Sequence, residues 1–282
     1  MEENRKFPAI TLKVMSFNIA HGLGMDNTVD LERTADVIEQ SGSDIVGLQE
    51  VDRFFTERSS FIDQVEWLSR RLGMYAGYGP NLDLDPTEPE RPRRQYGNAI
   101  LSKYPIKYVE NHLLTEVASP IAHSEQRGIL ETVIEVDGVY LNFYNTHLSL
   151  KDEELKVNID EILALLSKSR FPKILTGDFN AAPDHPQIQR IERQFNDVFE
   201  ELDRSHAYTY PSPYKNAEEG VELKPVTRID YIFTDFHLLA QNVSVIETAV
   251  SDHLPILAEL VLTRTAIPMK NAAGQLSAGQ KK

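Results

Sequence analysis

The sequence predicts an α/β fold of four layers: two β-sheets packed face to face, with helices on both outer surfaces. Three observations point there. Strand-like and helix-like runs follow one another in mixed order along nearly the whole chain. The strands fall into two hairpin-rich halves, each with amphipathic helices available to cover it. One tight turn, Asp137-Gly138, separates two apolar runs and is a strong hairpin signal. Helices layered outside packed sheets bury all of these apolar faces.

Taken in order, Val14 to Ile19 reads as a strand. A helix over Asp30 to Gln40 follows, with Leu31, Ala35 and Ile38 at helical spacing and Gly42 as its stop. Ile45 to Gln49 is a short buried strand. Ser60 is the expected cap of a helix whose Phe61, Val65, Leu68 and Leu72 form one stripe, ended by Gly73. Asp83 to Gln95 carries three prolines and mixed charge, which predicts an exposed loop. Strands return at Ala99 to Leu101, Ile129 to Val136 and Tyr140 to Thr146. Leu155, Ile159, Ile162, Leu163 and Leu166 mark the clearest amphipathic helix. A strand over Lys173 to Thr176 comes next, and Pro186 then opens a helix through Ile188, Ile191 and Phe195. A long loop from about Asp203 to Thr227 leads to strands at Ile229 to Phe233, Val243 to Thr248 and Ile256 to Val261.

At 282 residues, with neither an interior linker nor an internal repeat, the chain reads as one domain over residues 1–263 with a sizeable core. Residues 264–282, which hold Arg264, Lys270, Lys281 and Lys282 and no acid, read as a disordered basic tail. The absence of cysteine excludes disulfides, thiolate metal sites and a cysteine nucleophile, and it fits a reducing cytoplasm. The charged start, Met1 to Lys6, has no apolar core after it, and no run approaches the ~18 apolar residues of a membrane span. A formal charge of −14 disfavours long-duplex nucleic acid as a partner and suits a site that gathers divalent cations.

The richest stretch is Thr176-Gly177-Asp178-Phe179-Asn180, where an apolar run ends in an acid and an amide two residues apart. If strand geometry persists, Asp178 and Asn180 project to the same side. They form a pair suited to orienting a water and holding a phosphoryl oxygen; a plain turn is the alternative. Other apolar runs carry Asn18, Glu50, His147, Asp230 and the pair Asp252-His253 near their ends. Singly, each admits a structural reading as a hydrogen-bonded buried group. Together they make an oxygen-rich set with two imidazoles, suited to a hard ion such as Mg²⁺ or Mn²⁺. Neither a zinc-protease helix motif nor a phosphate-binding P-loop is present. Arg127, in Gln126-Arg127-Gly128, either aims at phosphate or pairs with a carboxylate. Arg91, Arg93 and Arg94 form either a basic lip or a solvated face, and Tyr208, Tyr210 and Tyr214 either wall the pocket or pack within the loop.

The chain resembles the endonuclease/exonuclease/phosphatase superfamily over roughly residues 11–262. The motifs fall in that family's order: F-N-I at 17–19, L-Q-E-V at 48–51, Y-G-N-A-I-L-S at 96–102, N-T-H-L at 145–148, G-D-F-N at 177–180, R-I-D-Y-I at 228–232 and S-D-H-L-P at 251–255. The resemblance implies a deoxyribonuclease I-like sandwich and a metal-dependent phosphoesterase. It places Glu50 as principal metal ligand, with Asn18 and Asp252 near the same ion. Asp178 would orient or deprotonate the attacking water, and Asn180 would hold a phosphate oxygen. His253, backed by Asp230, would contact the phosphate, and His147 would help the leaving oxygen. Asn98 and Arg127 are the expected phosphate contacts. The expected protein is a cytoplasmic monomer that hydrolyses a small or lipid-derived phosphoester as a phosphodiesterase or phosphatase. The alternatives are a nuclease acting on DNA or RNA and a binding module that keeps the fold without turnover.

Overall fold

A computed structural model describes residues 9–118, 125–204, 207–216 and 220–263. The expected tail at 264–282 lies outside the described residues. Along the chain run β1 (Ile10–Asn18), α1 (Leu31–Ser41), β2 (Ile45–Arg53), α2 (Gln64–Leu72), β3 (Tyr75–Leu84), β4 (Arg94–Ser102) and β5 (Ile106–Leu113). Then come β6 (Gly128–Val136), β7 (Val139–His147), α3 (Asp152–Leu166), β8 (Lys173–Asp178), α4 (Pro186–Glu192), β9 (Asn196–Asp197) and α5 (Val198–Glu201). The last are β10 (Tyr214–Asn216), β11 (Val221–Leu223), β12 (Asp230–Thr234), β13 (Leu238–Val245) and β14 (Ile256–Leu262). Among the described residues, no helix is long and apolar enough to cross a membrane.

Two six-stranded sheets carry the fold, ordered β13-β14-β1-β2-β4-β3 and β5-β6-β7-β8-β12-β9, with β10 and β11 as a separate hairpin. Each sheet contains one parallel pair, β1 with β2 and β7 with β8. A parallel pair needs a crossover, and α1 and α3 supply it. Side-chain alternation builds the layers. Leu12, Val14 and Ile45 face inward against Leu130, Phe143, Ile174 and Ile232. Met15, Phe17, Val46 and Leu48 face outward beneath Ala35, Ile38 and Leu68 of α1 and α2. Ile129, Tyr144, Leu175 and Tyr231 receive Ile159, Ile162 and Ile188 of α3 and α4. The expected four-layer α/β sandwich is therefore the observed one.

Local signals explain most boundaries. Asp30 caps α1 by accepting from Glu32 N, and Gly42 ends it at φ 70°. Asp137 and Gly138 turn β6 into β7 at φ 47° and 79°, both in the left-handed region such a two-residue turn demands. The α2 start is a correction. Ser60 and Phe61 lie at φ 53° and 52°, outside any helix, and Asp63 is the cap, accepting from Glu66 N. Five strands escaped sequence reading: the short β9, the hairpin β10–β11 inside the expected long loop, and the edge strands β3 and β5. β3 contains Gly77, Gly79 and Pro80, which read as breakers, but it is an edge strand, where proline is tolerated. At Gly79 a Cβ would come within 2.3 Å of Asn111 Oδ1, so the glycine admits that side chain. β5 is the edge of the other sheet and has no clean apolar alternation. The proline-rich loop shortens to residues 85–93, because its ends belong to β3 and β4.

Candidate active site

The site gathers where the C-terminal ends of both parallel strand pairs meet. Register sets His147 beside Asp178 and Asp178 beside Asp230, across β7, β8 and β12. Residues 251–253 are fastened to the end of β1 by Ser251 Oγ, which donates to Asn18 O at 2.7 Å. Asp52, Asn145 and Thr176 are fully or almost fully enclosed behind this cluster.

Glu50 reaches the site because β2 bulges. The register with β4 slips between Leu48 and Val51, and Glu50 sits inside the slip at φ 59°. Bulges re-aim side chains, and a non-glycine residue in this region costs about 1–3 kcal/mol. Glu50 is only partly enclosed, and its Oε1 accepts from Asn18 Nδ2 at 3.1 Å. Burial raises its pKa, assisted by the charges of Asp252 and Glu125 and opposed by the Asn18 hydrogen bond and His253.

His253, Asp230 and Asp178 form a buried relay. His253 Nδ1 lies 3.0 Å from Asp230 Oδ2, and His253 Nε2 lies 3.5 Å from Asp178 Oδ2. Burial alone would lower the His253 pKa, but the charges of Asp230 and Asp178 outweigh it and push the group up to about 10. The two carboxylates thus favour the protonated imidazole. Asp178 is raised to about 7, first by burial and further by Asp230, against the charge of His253 and the bonds from Asn180 N and Asn18. These three groups are close enough to hold a metal ion. Asp230 takes Nδ1, so Nε2 is the edge of His253 left for an ion or a phosphoryl oxygen. Tyr210 packs on His253, with ring centroids 4.8 Å apart.

Strand geometry ends at Asp178: Asn180 lies at φ 50° and its N donates to Asp178 Oδ1 at 2.9 Å, the turn of the alternative reading. Phe179 turns into the helix-side core against Tyr231 and Phe233. Asp178 and Asn180 both approach His147, with Asp178 Oδ2 and Asn180 Nδ2 lying 3.5 Å and 3.1 Å from Nε2. At Gly177 a Cβ would lie 2.3 Å from Thr146 O, so only glycine fits between the paired strands there. An amide nitrogen can only donate, so His147 Nε2 accepts and its proton sits on Nδ1, 4.0 Å from Glu50 Oε1. Burial lowers the His147 pKa well below the usual histidine value, with Arg127 and His253 adding to the effect.

Several expectations change in detail. Asn18 was expected to give an oxygen to a metal, but Oδ1 accepts from Ala20 N while Nδ2 donates to Glu50 and to Asp178 Oδ2 at 3.1 Å. It ties the two carboxylates together. Asn180 spends both Nδ2 hydrogens, on His147 and on Leu148 O at 3.0 Å, so no hydrogen remains for a phosphate oxygen in this arrangement. Asn98 is fully buried and donates to Gly128 O at 3.1 Å, which makes it a tie between the sheets. Arg127 follows its alternative reading, because Nη1 pairs with Glu125 at 2.7 Å, although its charge still reaches His147. Arg93 pairs with Asp83 and Asp85, and Arg91 with Glu88, so neither forms a free basic lip.

Sequence reasoning missed Arg58, Tyr96, Glu125 and His21. Arg58 and Glu125 both act electrostatically within the group around Glu50 and Tyr96. Tyr96 opens one of the quoted motifs but was given no role there, and no motif announces the other three, because their roles depend on side chains meeting across the fold. A second histidine-carboxylate group, Glu110, His112 and Glu131, lies on the helix side of the second sheet. Its acids are already satisfied by Tyr108, Asn142 and Tyr144.

The family described as Endonuclease/Exonuclease/phosphatase matches residues 15–253. The protein YbhP of Escherichia coli (strain K12) is 24% identical over 269 residues, covering 89% of this chain and 97% of that protein. An endonuclease/exonuclease/phosphatase of Beutenbergia cavernae DSM 12333 superposes with TM-score 0.70 at 24% identity, over 92% of this chain and 73% of its own. A mannosyl-6-phosphatase of Bacteroides thetaiotaomicron VPI-5482 superposes with TM-score 0.68 at 18% identity, over 89% of this chain and 100% of its own.

Proposed function

This chain belongs to the endonuclease/exonuclease/phosphatase family, and we propose that it is a divalent-metal-dependent hydrolase of a small or lipid-derived phosphoester. The observation that carries the reading is the meeting of the Glu50 and Asp252 carboxylates with the Asp178–His253–Asp230 relay at one end of both sheets.

Glu50 and Asp252 would hold the ion. Asp252 repels Glu50, and among the described residues Glu50 receives a hydrogen bond only from the neutral Asn18 amide. Two mutually repelling carboxylates fit a hard cation such as Mg²⁺ or Mn²⁺. When bound, the ion neutralises phosphoryl charge and acidifies a water. The other steps belong to the protein. Asp178, raised to about 7, is poised to take a proton from water near neutral pH. His253 holds its proton at Nε2 and offers it to a phosphoryl oxygen as charge builds there. Asp230 fixes the imidazole orientation through Nδ1. Asn18 and Asn180 steady Glu50, Asp178 and His147.

The test is a screen of purified protein with and without Mg²⁺ or Mn²⁺. Its substrates are p-nitrophenyl phosphate, bis-p-nitrophenyl phosphate, phospholipids, plasmid DNA and abasic duplex. The expected result is hydrolysis of a small or lipid phosphoester that EDTA abolishes and added metal restores. Full activity in EDTA, or turnover confined to nucleic acid, would overturn the reading.

A further inference from the structure

Arg58 is built into the edge of the site with unusual care. Its Nε and Nη2 donate to Asp52 Oδ2 and Oδ1 at 2.9 and 2.8 Å, and Asp52 is fully buried. Ser59 Oγ adds a third bond to the same carboxylate at 2.8 Å. The guanidinium lies over the rings of Phe55 and Tyr96 at 4.8 and 5.4 Å. The segment presenting it is strained, with Phe54, Ser60 and Phe61 all in the left-handed region at φ 52°, 53° and 52°. Such strain persists only where surrounding contacts overdetermine it, and it concentrates at functional sites.

The placement is within electrostatic reach of Glu50: burial lowers the Arg58 pKa, but the Asp52 carboxylate and the Glu50 charge raise it. Asp52 pairs with Tyr96 in the β2–β4 register, two residues beyond the bulged Glu50. Charges of Arg58, Asp52 and Asp252 all bear on His21, whose buried Nδ1 has no hydrogen-bond partner among the described residues. The bidentate bond to Asp52 uses two edges of the Arg58 fork. Nη1 has no partner among the described residues, and the side chain is 39% exposed. A guanidinium locked on two sides and open on the third is preorganised to bind an anion.

We propose that Arg58 is a specificity residue of this site: its Nη1 edge takes an oxygen of the substrate phosphoryl group and makes the enzyme prefer phosphomonoesters to phosphodiesters. The proposal rests on the phosphoester-hydrolase reading above. The chemical reason is charge and oxygen count. A phosphomonoester carries nearly two negative charges at neutral pH and three non-bridging oxygens. A diester carries one charge and two such oxygens, so a further fixed cation favours the monoester.

The test compares wild type with Arg58→Lys, whose flexible ammonium cannot make the two-edged bond to Asp52 and so no longer holds a cation fixed at this place. Steady-state kinetics with Mg²⁺ on p-nitrophenyl phosphate and bis-p-nitrophenyl phosphate give the selectivity. The monoester-to-diester ratio of kcat/KM is expected to fall about tenfold or more. Calorimetric titration of inorganic phosphate into the Mg²⁺-loaded proteins gives a readout free of turnover, and phosphate affinity is expected to fall by a similar factor. An unchanged ratio with unchanged phosphate affinity overturns the proposal. If wild type hydrolyses neither ester yet binds phosphate in an Arg58-dependent way, the hydrolase reading fails and the anion contact stands. Should Arg58→Lys melt far below wild type, the double variant Arg58→Gln/Asp52→Asn removes both charges together. It must show the same loss of phosphate affinity, and wild-type affinity in that variant overturns the proposal.

Discussion

His253 Nδ1 stands 3.0 Å from Asp230 Oδ2, and both side chains are almost completely enclosed. An imidazolium held this way has one orientation and one free N–H, at Nε2. Asp230→Asn leaves the shape and removes the charge that holds the proton. Turnover is expected to fall about a hundredfold or more, within the range of positioned acid–base groups. Asp178→Asn combined with His253→Ala is expected to cost less than the product of the single losses, because residues acting as one unit are not additive. Kinetics beside thermal melts check both statements, and near-wild-type turnover in folded Asp230→Asn would refute the relay.

The same groups predict how the metal-free protein responds to pH. The folded pKa of His253 is raised from 6.5 to about 10, so its stabilisation is full below about pH 6.5 and is lost as pH rises toward 10. Asp178 is raised from 3.8 to about 7, so its contribution is present below about pH 3.8 and lost by about pH 7. Both effects run the same way. In EDTA the melting temperature should decline between pH 7 and 9.5. In Asp178→Asn/Asp230→Asn, where only Asp252 is left to oppose the lowering effect of burial on His253, that decline should flatten. Parallel slopes in the two proteins would show that His253 is not the titrating group.

Glu50 gives a prediction of opposite sign for folding and for metal. Burial and Asp252 make its charge unfavourable in the metal-free state. Glu50→Gln should therefore melt at or above the wild-type temperature in EDTA. The rise in melting temperature on adding Mg²⁺, which follows from ligand binding to the folded state alone, should shrink or disappear. A Mg²⁺-dependent rise as large as that of the wild type would place the ion elsewhere.

Much of this architecture could be read directly from residues, and the exceptions share a cause. The Asp137-Gly138 turn, the Asp30 and Gly42 helix limits and the turn from Asp178 to Asn180 are local matters of backbone freedom and short-range hydrogen bonding. Glu50 stood out as an acid after an apolar run. The bulge that aims it depends on how β2 meets β4, which no local signal carries. Ser60 and Asp63 are both good caps, and the left-handed turn at Ser60 and Phe61 decided between them. Which face of the Asn18 amide meets Glu50 is settled by Ala20 N taking the oxygen, a contact seen only in three dimensions.

Arg228 opens one of the site motifs, but its work is structural. It is almost fully buried, pairs with Asp197 at 2.6 Å and lies between the rings of Phe199 and Tyr231 at 4.8 and 4.7 Å. Arg228→Ala would leave the Asp197 carboxylate buried without a countercharge. A loss of about 3–5 kcal/mol is expected, measured by denaturant unfolding. A loss below about 1 kcal/mol would mean that water reaches Asp197 readily.

Asn145 joins the two sheets directly behind the catalytic end. Its Nδ2 donates to Leu48 O and Ala99 O at 2.7 and 3.0 Å, while its Oδ1 accepts from Gln49 Nε2 and Thr176 Oγ1 at 2.6 and 3.0 Å. Gly47 makes room for this knot, since a Cβ there would lie 2.7 Å from Asn145 Oδ1 and 2.3 Å from Thr176 Oγ1. Leu48 and Ala99 are register partners at the edge of the Glu50 bulge, so the knot anchors the strand pair that aims Glu50. Each buried group left unpaired costs about 1–3 kcal/mol, so Asn145→Ala should lose about 3 kcal/mol or more. Asn145→Asp should lose at least as much, because a carboxylate cannot donate to the two carbonyls and adds a buried charge. Mg²⁺ affinity should fall in both variants through displacement of Glu50, which separates this residue from one that only supports the core. Denaturant unfolding and metal titration test the two halves together. Wild-type stability in Asn145→Asp would show that the sheets are held without the knot, and unchanged Mg²⁺ affinity in a destabilised variant would uncouple it from Glu50.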